Sequence, residues 1–136
     1  MSELEVGEEK VLTFEDGIPG FPASTRYALV DVAEGSAFQF LQSLDESDVG
    51  MIVTVPWLWV PDYAPELSEL ERQELGIERV EDAIIFCAVT LVPESESFTL
   101  NLLGPFVVNH RTRRGRQVVL TDSGYPVRAP VSLAEA

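Results

Sequence analysis

The longest apolar run of the 136-residue chain, Ala83 to Val92, is followed by a polar turn, Pro93-Glu94-Ser95-Glu96-Ser97. A second apolar pattern begins straight after it. Phe98, Leu100 and Leu102 fall on one side of an extended chain and Thr99, Asn101 and Leu103 on the other. Two such runs joined by a turn read as a β-hairpin, and this one constrains the fold more than any other feature. Phe106-Val107-Val108 and Gln117-Val118-Val119-Leu120 flank Arg111-Thr112-Arg113-Arg114-Gly115 and read as a second hairpin.

The first half carries the same signals. Lys10 to Phe14, Tyr27 to Val32, the alternating Phe38-Gln39-Phe40, and Val49 to Val55 all have strand character. Glu15 to Gly20 breaks the first of these, with Gly17 and Gly20 supplying positive φ and Pro19 removing a donor. One segment departs from the β pattern. Pro65 to Gly76 reads as a helix, with Pro65 at its first position and Gly76 just past its end. Leu67, Leu70 and Leu75 are spaced to share one face, and Glu66 and Glu69 favour the helix dipole. The expectation is a single domain over 1–136, mainly β, a small barrel-like fold with one short inserted helix. The last six residues, from Val131, read as a frayed tail.

Charge narrows the partners. The formal net charge is −14. Residues 1–96 hold 21 acids against four bases, a net of −17, whereas residues 97–136 hold two acids against five bases. Such a polyanion repels nucleic acid and anionic membrane and suits a basic protein. The basic excess sits in the turn Arg111 to Arg116, which is short and has no interleaved aromatics. Contact with an acidic surface fits it better than phosphate.

Catalytic chemistry is poorly provided for. His110 is the only histidine and sits beside four arginines, a poor setting for a general base. Cys87, the only cysteine, lies within the most apolar run, which suits a core thiol. One Cys and one His cannot ligate a structural zinc. Asp45, Glu46 and Asp48 lie close together but do not follow the EF-hand pattern, so they read as a solvated loop. No catalytic residue, metal ligand or cofactor site is expected. With no disulfide, no basic-then-apolar opening segment and no bilayer-length apolar stretch, the chain reads as a cytoplasmic protein, without membrane contact and monomeric.

Two adjoining segments suit binding. Pro56 to Pro65 holds three prolines besides Trp57, Trp59 and Tyr63, and so cannot be a central strand. Aromatics on a proline-stiffened loop lose little entropy on binding and make good interface anchors. They suit equally well the plugging of one end of a barrel. The helix that follows presents Glu66, Glu69, Glu71 and Glu74. Trp57, Trp59, Asp62, Tyr63 and these four glutamates are therefore the candidate protein-binding residues. An alternative reading uses Trp57 and Trp59 as stacking platforms for a carbohydrate or small ligand.

Several blocks of the sequence resemble the FliW family of flagellar assembly factors. They are Phe14 to Phe21, Phe40 to Asp45, Pro56 with Pro61-Asp62-Tyr63, Asn101 to Asn109, Gly115 to Leu120, and Tyr125 with Arg128. Together they span roughly residues 10–130 in order. The resemblance implies a compact barrel-like fold and a non-enzymatic partner switch in the cytoplasm. Its implied partners are flagellin and CsrA, a small basic RNA-binding regulator whose repression of flagellin translation such proteins relieve.

Overall fold

The computed structural model describes residues 10–132 apart from Pro19 and Glu96. Residues 1–9, Pro19, Glu96 and positions 133–136 of the expected tail lie outside the described residues.

Among the described residues nine strands form one antiparallel sheet: β1 (Leu12–Thr13), β2 (Arg26–Asp31), β3 (Phe38–Ser43), β4 (Gly50–Thr54), β5 (Ala83–Val92), β6 (Ser97–Leu100), β7 (Phe106–Asn109), β8 (Gly115–Gln117) and β9 (Ala129–Ser132). The order β1-β2-β3-β4-β5-β6-β9 forms the main path, with β7 pairing β5 and β8. β5 coincides with the apolar run. Its first half pairs β7 through Ala83↔Asn109 to Phe86↔Phe106, and its second half pairs β6 through Val89↔Leu100 to Val92↔Ser97. One strand therefore belongs to both halves of the molecule. A single bridge, Thr13 to Arg114, links β1 to the residue just before β8, and no ladder follows it, so the sheet stays open. The mainly β class with one short helix holds. The barrel-like sheet does not close.

Both faces are covered along the first part of β5, Ile84 to Val89, which is why that part is apolar rather than alternating, whereas its end, Thr90 to Val92, is exposed. Ile84 and Phe86 join Leu12, Phe14, Tyr27, Leu41, Val53 and Val108 in one core. Cys87 and Val89 join Phe98, Leu100, Val107 and Val118 in the other. β7 divides likewise, with Val107 in one and Phe106 and Val108 in the other. Each fully buried aliphatic or aromatic side chain contributes roughly 1.5–3 kcal/mol. Gly17, at φ 70°, has no room for a side chain: an added Cβ would lie 2.6 Å from the Phe21 carbonyl oxygen.

Three expectations are corrected. Val131 is not frayed: β9 pairs β6 through Phe98↔Val131 and Thr99↔Pro130, and Pro130 is tolerated because β9 ends the main strand path. Helix α1 runs Glu69–Leu75, starting four residues after Pro65. Ser68 is its N-cap: the Ser68 hydroxyl accepts from the Glu71 amide at 3.1 Å, and the Glu71 carboxylate accepts from the Ser68 amide at 3.0 Å. This reciprocal box satisfies two donors that a proline start leaves open. Glu66 consequently lies outside the helix, while Glu69 and Glu71 occupy its first turn. Gly76 ends it at φ 69°, in the left-handed conformation expected there. The three leucines do not share a buried face either. Leu75 is buried and Leu67 packs on the core, but Leu70 is 64% exposed.

Candidate functional site: an acidic groove beside the helix

The aromatic loop divides. Trp59 packs against the second core, stacked on Phe38 at 5.7 Å and meeting Phe98 edge-on at 5.0 Å. Its Nε1 donates to the Thr54 hydroxyl at 3.2 Å. Tyr63 is buried, and its hydroxyl donates to the Leu102 carbonyl at 2.6 Å. Burial raises its pKa, with the neighbouring Cys87 adding to the effect. Burial likewise pushes the Cys87 thiol up to about 12, so it stays protonated at neutral pH, in keeping with a core thiol. Trp57 is partly exposed, and its Nε1 donates to the Tyr63 carbonyl at 2.7 Å. Asp62 is exposed. Trp59 and Tyr63 thus hold the loop in place, and Trp57 keeps an accessible face.

A groove of about 730 Å³ opens beside α1. One wall comes from the helix and the segment before it, with Glu66, Leu67, Leu70, Glu71 and Glu74. The other comes from the stretch after β8, with Val119, Leu120, Asp122 and Tyr125. Tyr125 fixes the second wall to the aromatic loop: its hydroxyl accepts from the Ala64 amide at 2.9 Å, and its ring lies 4.7 Å from that of Tyr63. Of the eight candidate residues, Glu66, Glu71 and Glu74 share this groove. Glu69 is exposed on α1 but does not line it. Val119, Asp122 and Tyr125 were not legible as site residues. Val118-Val119-Leu120 is uniformly apolar, and only the structure turns Val119 outward, at 59% exposure, between two buried neighbours.

The arginine turn has a structural account. Asn109 is buried, and its Oδ1 accepts from the Arg111 and Thr112 amides at 2.8 and 3.1 Å. Its Nδ2 donates to the Leu75 carbonyl at 2.8 Å and so ties the turn to the end of α1. Arg114 pairs with Glu15, and Arg116 with Glu74 at 2.7 Å. Two cations of the basic quarter thus meet carboxylates of the acidic half. His110 is an exposed turn residue whose amide donates to the Asp82 carbonyl at 2.7 Å.

The acidic loop is built in rather than free. Asp45 Oδ2 accepts from the Thr25 and Arg26 amides at 2.8 and 3.0 Å, and Glu46 accepts from the Ser24 hydroxyl. Among the described residues no group of three or more His, Cys, Asp or Glu side chains is placed to hold a metal ion. Nor is any helix there long and apolar enough to cross a membrane.

The fold and groove define an open, mainly β domain with an acidic groove that also carries aliphatic side chains. Comparison with known proteins carries this further. The family described as FliW protein matches residues 1–131. A flagellar assembly factor FliW from an Exiguobacterium species is 40% identical over 134 residues, covering 98% of this chain and 92% of the relative. Its counterpart in Bacillus subtilis (strain 168) is 32% identical over 129 residues, covering 95% and 90%. A crystal structure of the flagellar assembly factor FliW superposes with a TM-score of 0.86 at 29% identity, covering 92% of this chain and 87% of that one. The chain belongs to the FliW family.

Proposed function

We propose that this protein is a flagellar assembly factor that acts in the cytoplasm as a non-enzymatic partner switch. It binds flagellin, and it binds a CsrA-type regulator and so relieves repression of flagellin translation. The relatives' names supply the flagellar role, and the resemblance supplies the two partners. The observation that carries the regulator arm is the acidic surface around α1. Glu66, Glu69 and Asp62 are exposed there, and Glu71 and Glu74 line the adjoining groove. A basic RNA-binding protein is drawn to such a surface. Once bound, the −17 half of this chain adds negative potential that opposes RNA phosphates even from a site away from the RNA. The protein needs no nucleic-acid contact of its own for this.

Calorimetric titration with the CsrA of the same organism, at two salt concentrations, tests the reading. Saturating heat with affinity that falls as salt rises is the expected result. Absence of binding at both salts, with both proteins folded, removes the regulator arm and leaves flagellin binding to be pursued.

A further inference from the structure

Leu70, on α1, and Val119, in the stretch after β8, are 64% and 59% exposed, and both line one groove. Folding does not account for either. Leu70 has the spacing of a core leucine yet points out of the core, and Val119 breaks a buried run. The half-buried Leu67 and Tyr125 and the buried Leu120 line the same groove. Glu66, Glu71, Glu74 and Asp122 are the acidic residues of the lining. Arg116 is the lining's one cation among the described residues, and it is engaged by Glu74 at 2.7 Å. The groove therefore combines aliphatic side chains with four carboxylates, only one of which is paired with a cation of the lining.

We infer that this groove is where the basic regulator docks, by a segment that sets an apolar ridge between Leu70 and Val119 and flanks it with lysine or arginine. This rests on the partner reading above and adds the location and the chemistry of the contact. Charge complementarity selects the occupant. A segment with an acidic border would meet Glu66 and Asp122 with like charge, and an uncharged apolar one would leave those carboxylates without a partner. The apolar part also fixes how binding responds to salt. Screening weakens the rim contacts, but the aliphatic contact persists, so affinity falls with salt to a floor rather than to nothing.

The test compares Leu70→Gln and Val119→Thr with the parent chain and with Glu34→Gln, an acidic position on the loop between β2 and β3, outside the groove. Both groove side chains are exposed, so thermal unfolding should match the parent and show each variant folded. Titration of CsrA is expected to show about a tenfold loss for each groove variant, the size typical of a central interface contact, and no change for Glu34→Gln. Flagellin is titrated in parallel. Groove variants that bind CsrA like the parent, or that weaken flagellin alone, overturn the location while leaving the partner reading intact. A parent chain that binds no CsrA overturns the partner reading itself.

Discussion

Arg116 Nη1 lies 2.7 Å from Glu74 Oε2, joining the end of the arginine turn to helix α1 at the groove. Both side chains are nearly half exposed, so the pair adds less than about 1 kcal/mol to stability. Its larger effect is on the field in the groove, because it neutralises one of the lining carboxylates.

Arg116→Gln should therefore leave the melting temperature within about 2 °C of the parent. It should tighten association with a basic partner at low salt and steepen the salt dependence, because Glu74 is then unopposed. Titrations at low and high salt check this. Equal affinities at low salt would show that Glu74 does not face the partner.

Ser68→Ala removes one arm of the capping box and should cost about 1 kcal/mol, lowering Tm by about 4 °C. Glu71→Gln keeps an acceptor for the Ser68 amide and should cost less, whereas Glu71→Lys loses both cap and charge. Thermal unfolding by circular dichroism ranks the three. Charge reversal at Glu71 therefore mixes a folding effect with any binding effect, and Glu66 or Glu69 is the cleaner position for testing the acidic surface.

The two tryptophans should part company. Trp59→Ala opens a void beside Phe38 and Phe98 and should cost about 3 kcal/mol, measured by urea unfolding. Trp57→Ala, at the exposed position, should cost about 1–2 kcal/mol through the lost Nε1 bond and partial burial. A larger cost for Trp57 than for Trp59 would contradict the division of the loop described above.

Asp45 carries a pH signature. Backbone donation from Arg26 and then Thr25 holds its carboxyl below the ordinary carboxylate value. Its stabilising effect is therefore fully present above that ordinary value of about 3.9 and is lost as pH falls through the lower, folded-state value. Asp45→Asn should destabilise by about 0.5–1 kcal/mol at neutral pH, the loop being exposed, and the gap from the parent should close in acid. Stability measured from pH 7 down to pH 3 checks the convergence.

Cys87 should not react with a thiol reagent in the native state. The thiol is fully buried and its pKa is pushed up to about 12, so almost no thiolate exists at pH 8. Reaction with a chromogenic disulfide should track unfolding, with full modification only in denaturant.

Strands β3 to β7 were readable because their patterns are local. A period of two in Phe98-Leu100-Leu102, a long and mostly apolar run in β5 and the polar turns between them need no knowledge of the rest of the chain. The end of α1 was readable for the same reason, since Gly76 stops a helix by its own backbone preference. Its start was misplaced because Pro65 and Ser68 are both legitimate start signals. The Ser68 and Glu71 pair prevails because it satisfies two backbone donors at once. β9 was missed because two of its four described positions, Ala129 and Pro130, look unlike a strand until β6 is there to pair with them.

By itself the sequence determined the β class, the single helix, the acidic half and the family blocks, since composition, spacing and turn chemistry are properties of neighbours along the chain. Only the tertiary structure decided which side chains meet. It buried Tyr63, packed Trp59 half-buried against the second core, turned Leu70 and Val119 outward, and set Arg116 against Glu74 across 42 residues. Those outcomes depend on packing between segments distant in sequence, where each exposed or buried position is settled by what another strand or loop brings against it.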